Sequence, residues 1–355
     1  MKCGDVLTKN DEKHFQGCLI GGAIGDALGW PIEFMKLNEI KRKFGENGLT
    51  DLILCEDGKA QITDDTQMTM FTAEGLLRAE SRLTNKGICH APTVIYFAYQ
   101  RWLVTQGYPK KKDIEFIYDG WLLNIDRLFA TRAPGNSCIS SLLMDEKGTK
   151  ENPINNSKGC GAVMRSAPFG LFLDKDTAFE VAIETAAFTH GHPTGQLAAG
   201  ALSYMIAEII DGQSVIAATF NTIKKLSKEK ESLECISKLE EAISLSQSDL
   251  SDNDAISMIG EGWIGEEALG ISVFCAMRYQ NNFRQALIAA VNHSGDSDST
   301  GSITGNILGA YSGIDCIPKE WFQNTELTEE IVQLANDLHR VYEDSNEWWR
   351  KYPGY

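Results

Sequence analysis

Residues 292–313 read NHSGDSDSTGSITGNILGAYSG, and two patterns overlap in them. Asp296, Asp298, Ser299 and Thr300 are packed between glycines, and Gly301, Gly305, Gly309 and Gly313 then recur at every fourth residue. A four-residue step stays on one face of a helix, so these glycines make a flat ridge. The ridge is costly, because each glycine inside a helix loses about 1 kcal/mol relative to alanine. It makes sense only where another backbone comes very close. Near the other end of the chain, Gly17, Gly21, Gly25 and Gly29 repeat the pattern. The two ridges predict buried helices, one starting near Gly17 and one near Ser299, that meet at the centre of an all-α fold. Small-residue seams also occur between membrane helices, but neither segment is long and apolar enough to span a bilayer.

Working outward, helical periodicity dominates. Ala198, Leu202, Met205, Ile206 and Ile209 fall on one face, as do Met68, Phe71, Gly75 and Ala79. Residues 50–55, TDLILC, are the one convincing strand-like run. Charged residues 224–246 carry Leu226, Leu233, Ile236 and Leu239 and predict one amphipathic outer helix. Loops rich in Gly, Pro and Asn fall near 45–61, 107–113, 131–137 and 145–161, and none is long enough to divide the chain. The expectation is a single all-α domain over residues 1–355, compact with orthogonally packed helices. Residues 1–14 are read as a polar arm and 315–355 as a helix and tail.

The net charge of −16 argues against nucleic acid and anionic membranes as partners. Nine cysteines, an odd number without CxxC spacing, suggest reduced thiols in a cytoplasm rather than a disulfide framework. The first residues, MKCGDVLTKNDEKHFQ, lack the apolar core of a signal peptide.

A second acidic cluster, Thr63-Asp64-Asp65-Thr66, also stands where a helix should begin. One such cluster is readily explained by helix capping. Two with the same chemistry point elsewhere. Adjacent buried carboxylates repel unless a cation sits between them, and oxygen donors without Cys or His suit Mg²⁺, Mn²⁺ or Ca²⁺ rather than zinc. An EF-hand is excluded, since the twelfth position counted from Asp296 is Ile307. The DxDxT signature of haloacid-dehalogenase phosphatases also fails. It needs an apolar strand directly before Asp296 and an α/β domain after it.

GDALGWPIEF (25–34), TDDTQM (63–68), SKGCGAVMR (157–165), THGHPTG (189–195), EGWIGEEAL (261–269) and NHSGDSDSTGSITGN (292–306) occur in the order seen in ADP-ribosylglycohydrolases. The chain resembles that family over roughly residues 15–315. THxHPTG and HSGDSDSTG are most similar to the ADP-ribosylarginine hydrolase branch, alongside the dinitrogenase-reductase-activating glycohydrolases. The resemblance implies a compact all-α domain around two Mg²⁺ or Mn²⁺ ions. Carried over by position, it makes Thr63, Asp64, Asp65, Asp296, Asp298 and Ser299 their ligands, with Glu33 near the second metal. It gives catalytic roles to Glu33, Asp64, Asp65 and Asp296, the general base being one of the last three.

For the substrate it implies a pyrophosphate cradle over Asn156, Ser157, Lys158, Gly159, Cys160, Gly161 and Ala162. His190 would stand near the ligand and Trp263 against the nucleoside. Arg165 is expected in a structural ion pair, and His192 and His293 as structural. The activity implied is hydrolysis of ADP-ribosylated arginine on proteins, releasing ADP-ribose. Two other readings stand beside it. One is hydrolysis of another linkage, such as ADP-ribosylserine or O-acetyl-ADP-ribose. The other is an immunity protein that also blocks a cognate ADP-ribosyltransferase toxin by contact, through the polar arm.

Overall fold

The computed structural model describes residues 8–355. Seventeen α-helices and six short 3₁₀ turns make up the regular structure of these residues, and two isolated bridges are their only β pairings. One apolar core runs from Phe15 to Tyr352.

The ridges meet. Helix Glu12–Gly29 lies antiparallel against helix Ser297–Ser312. A Cβ built on Gly17, Gly21, Gly25 or Gly29 would fall within 3.0 Å of backbone atoms of Gly309, Gly305, Gly301 and Ser297 respectively. The relation is reciprocal for Gly301, Gly305 and Gly309, so each carbonyl oxygen faces the opposing glycine. That recurring geometry suits Cα–H···O contacts, each worth roughly 0.5–1 kcal/mol, which offset part of the lost helix propensity. Asn306 adds a fastener, its Nδ2 donating to the Cys18 carbonyl at 2.8 Å. Gly313 has a different reason. It lies one residue past the helix at φ 75°, where a side chain would be strained.

Several boundaries differ from the sequence reading. The first helix starts at Glu12, five residues before Gly17, because Asp11 caps it by accepting from the His14 N–H at 3.1 Å. The polar arm therefore loses residues 12–14 to this helix, and its residues 1–7, part of the feature proposed for steric toxin binding, lie outside the described residues. Residues 50–55 form no strand: no β bridge involves them, and Ile53 and Leu54 face solvent. The expected outer helix is two, Val215–Leu226 and Leu233–Ser246, broken by a turn in which Glu231 takes φ 58°. Leu226 and Leu239 are buried, but Leu233 is exposed.

Nor is the C-terminal segment a helix and tail. It forms helices Lys319–Asn324, Thr328–Arg340 and Asn346–Lys351. Trp348 and Tyr352 are buried, with hydrogen bonds to Ser81 (3.0 Å) and Asp337 (2.6 Å). Glu326, from the same segment, accepts from the Ile62 N–H at 2.9 Å and pairs with Arg132 and Arg127. This fixes the chain just before the first acidic cluster.

Gly305→Ala should place a methyl against the Gly21 carbonyl and cost on the order of 2–3 kcal/mol by overpacking. Thermal unfolding is expected to move down by several degrees, and an unchanged midpoint would contradict the seam.

Candidate active site

The seam ends where the acids are. Beyond Gly29, a 3₁₀ turn (Trp30–Ile32) delivers Glu33 to the start of the partner helix, beside Asp296 and Asp298. Carboxylate oxygens of these three residues lie within 4.8 Å of one another. Asp296 is the N-cap of helix Ser297–Ser312, and Asp298 Oδ1 accepts from the Ser299 N–H at 2.9 Å. Thr63 likewise caps helix Asp64–Lys86, and its hydroxyl lies 3.5 Å from Asp298 Oδ2. Both acidic clusters thus do cap helices, through Asp296 and Thr63. The remaining acids, Asp64, Asp65 and Asp298, are not needed for capping and are buried all the same.

Asp26 joins the two clusters. Fully buried on the first helix, it accepts from the Thr63 N–H at 2.9 Å, the Thr63 hydroxyl at 2.9 Å and the Thr66 N–H at 3.1 Å. It orients the second helix against the first. Sequence reasoning quoted Asp26 inside GDALGWPIEF but gave it no role. A carboxylate on an otherwise apolar glycine-ridged helix was the available signal.

A cavity of about 350 Å³ is lined by Glu33, Asp64, Asp65, Asp296, Asp298 and Ser299 at one end. The adjoining wall holds Gly135, Asn136, Gly159, Gly161 and His190, and the Gly135 N–H donates to Asp64 Oδ2 at 3.4 Å. The carboxylate end is electrostatically unsatisfied. Burial, then neighbouring carboxylates, hold Asp64, Asp65 and Asp298 well above the usual carboxylate range. Burial pushes Glu33 up to about 9, with Asp296 the next cause, and Asp26 up to about 6. Asp65 Oδ2 and Glu33 Oε2 are buried with no hydrogen-bond partner. Orphaned anionic oxygens aimed into a shared cavity fit divalent cations.

The rest of the lining differs from expectation. Of the proposed cradle only Gly159, Cys160 and Gly161 line the cavity. Ser157 is used within the loop, accepting from the Gly159 N–H (3.3 Å) and the Ser137 hydroxyl (2.8 Å). Lys158 turns away to Glu266 (2.5 Å) and Glu234 (3.0 Å). Asn156 and Ala162 are not among the lining residues either. Residues 133–138 fill the gap, bringing the N-terminus of helix Asn136–Leu143 to the cavity. Its first-turn N–H groups have no carbonyl partners within the helix, and Gly135 as N-cap offers no side chain to satisfy them. In sequence, residues 131–137 show only the Gly, Pro and Asn of a loop.

His190 lines the same wall. Burial, then Arg165, lowers it to about 3, so the ring is neutral, with Nδ1 2.8 Å from the Thr189 hydroxyl. Arg165 makes no ion pair among the described residues. It is buried over the Tyr99 ring and donates to Thr189 Oγ1 at 2.7 Å. The Cys160 thiol donates to Asp296 Oδ2 at 2.7 Å. His192 caps its helix and His293 bonds Thr300, both structural. Trp263 is at the rim, stacked on Phe34.

A family model described as ADP-ribosylglycohydrolase matches residues 7–347. ADP-ribosyl-[dinitrogen reductase] glycohydrolase of Rhodospirillum rubrum is 25% identical over 324 residues, 88% of this chain and 90% of that one. ADP-ribosylarginine hydrolase Tri1 of Serratia proteamaculans (strain 568) is 23% identical over 91% of this chain and 78% of its own. ADP-ribosylhydrolase ARH3 of Homo sapiens is 31% identical over a shorter stretch, 28% of this chain and 31% of that one. In three dimensions, a solved ADP-ribosylglycohydrolase-related protein complex aligns over 93% of this chain and 98% of that one, with a TM-score of 0.58 and 20% identity.

The raised carboxylates make a signed prediction. A group whose folded pKa lies above its unfolded value weakens folding as pH rises from the unfolded pKa, near 4, toward the folded one. In metal-free protein, Asp298→Asn should therefore be more stable than wild type, by a margin larger at pH 8 than at pH 5. Saturating Mg²⁺ should stabilise wild type more than the variant. Melting curves with EDTA and with Mg²⁺ at the two pH values decide, and a constant or reversed margin would contradict the repulsion.

Proposed function

The chain belongs to the ADP-ribosylglycohydrolase family, and on that premise we propose that it removes ADP-ribose from modified arginine on proteins, using two Mg²⁺ or Mn²⁺ ions. The observation that carries the chemistry is the convergence of five carboxylates, two of them with orphaned oxygens, on a cavity whose adjoining wall presents backbone N–H groups. The arginine linkage is supported by the similarity to ADP-ribosylarginine hydrolase Tri1 along most of the chain and by Ser299, the hydroxyl residue of that branch. The nine cysteines without CxxC spacing support a cytoplasmic setting.

Thr63, Asp64, Asp65, Asp296, Asp298 and Ser299 would hold the cations, with Glu33 adjoining. Bound there, they supply positive charge that polarises oxygen groups beside the reacting carbon. The residues of the chain do the rest. Asn136, Ser137 and Gly161 offer N–H groups to the pyrophosphate, a useful device in a protein of net charge −16. Neutral His190 adds a hydrogen bond at that wall without repelling the adjacent Arg165. Held there, the distal ribose presents its anomeric carbon to the carboxylates, where an oxocarbenium-like transition state is stabilised by negative charge. One of Asp64, Asp65 and Asp296 takes the proton of the attacking water.

Purified protein should release ADP-ribose from arginine-linked ADP-ribosyl protein with Mg²⁺ or Mn²⁺, and lose that activity in EDTA. Asp298→Asn should lower the rate by at least 100-fold while remaining folded, since it removes one full charge from a two-dication site. Serine- and cysteine-linked substrates in parallel complete the test. Preferential release from serine would reassign the linkage, and turnover in EDTA would sink the metal mechanism.

A further inference from the structure

The rim of the carboxylate end is built unlike the rest of the cavity. Phe34, immediately after Glu33, is 72% exposed, yet its ring lies nearly parallel to that of Trp263, with centroids 5.7 Å apart and planes at 17°. Both rings line the cavity that holds Glu33, Asp64 and Asp296. Glu261, half exposed, lines a neighbouring cavity that shares Trp263, and its carboxylate meets Lys36 Nζ at 2.8 Å. An exposed Lys–Glu pair of this kind contributes little, so Glu261 can exchange its partner at small cost.

The layout of the cavity says what passes this rim. If pyrophosphate sits at the N–H wall and the anomeric carbon at the carboxylates, the group beyond that carbon is the leaving group. It departs past the residue next to Glu33, which is Phe34. A guanidinium is a planar, weakly hydrated cation that stacks on aromatic faces and binds carboxylates through two N–H groups. A hydroxyl leaving group matches neither feature. We propose that Phe34, Trp263 and Glu261 form a leaving-group subsite that reads the guanidinium of the modified arginine, stacking it on the aromatic pair and pairing it with Glu261 in place of Lys36. This rests on the arginine reading above, and it moves Trp263 from the nucleoside to the leaving group, since the indole is already committed to Phe34.

The test uses probes that need no turnover. Agmatine, a free guanidinium, and N-carbamoylputrescine, its neutral urea counterpart, are titrated calorimetrically into Mg²⁺-loaded protein saturated with ADP-ribose. Agmatine should bind at least tenfold more tightly than the urea. Phe34→Leu, which keeps an apolar side chain, and Glu261→Gln should each weaken agmatine roughly five- to tenfold while ADP-ribose affinity holds. Equal binding of the two probes, or variants that weaken ADP-ribose as much as agmatine, would overturn the subsite. A wild-type protein that prefers agmatine yet spares arginine-linked protein would refute the proposed activity and leave the subsite standing. Turnover of that protein without any preference for agmatine would do the reverse.

Discussion

Contact between two helix backbones, with glycine at every facing position except Ser297, is the constraint on which the rest of the structure depends. It fixes helix Glu12–Gly29 against helix Ser297–Ser312 at a spacing that no side chain tolerates. Every residue of the candidate metal centre is placed by that contact or by something fastened to it. Glu33 follows the end of one ridge, and Asp296 and Asp298 open the other. Asp26 reaches from the first ridge helix to Thr63 and Thr66, bringing in Asp64 and Asp65. Residues far apart in sequence, such as Glu33 and Asp298, thus become neighbours without a loop having to hold them, which is how precise sites are best supported.

The same arrangement creates an electrostatic problem. Six carboxylates (Asp26, Glu33, Asp64, Asp65, Asp296 and Asp298) are buried close together, and among the described residues no Lys or Arg is paired with any of them. Asp26 alone is well supplied with donors, and even it is pushed up to about 6 by burial. Structural stability does not require such a cluster, because capping uses only Thr63 and Asp296. The fold therefore bears a local cost that a bound cation removes. Strained electrostatics of this sort mark functional sites in general.

Much of this was legible in the sequence because its signals were periodic or chemically paired. The four-residue glycine step leads directly to the helix seam, and two acid clusters at helix starts lead to the buried carboxylate cluster, a candidate cation site. What stayed hidden depended on tertiary context. Lys158 looks like a phosphate ligand in SKGCGAVMR, yet Glu266 and Glu234 draw it away. Residues 133–138 carry no charge to advertise them, and they matter only because their helix starts beside Gly159–Gly161. TDLILC has strand composition, but a strand needs a partner that an all-helical fold does not offer. Arg165 was expected to need an acid and instead sits over the Tyr99 ring, a contact that no spacing rule announces.

The account stands or falls on whether the buried carboxylates hold cations. Electron paramagnetic resonance of Mn²⁺ titrated into metal-free protein counts bound ions directly, without substrate. Two tightly bound Mn²⁺ per chain are predicted for the wild type, with at least one lost in Asp298→Asn although its helical circular dichroism is unchanged. Free-ion spectra at every addition to the wild-type protein would contradict the account and reduce the carboxylates to an unexplained feature of the core.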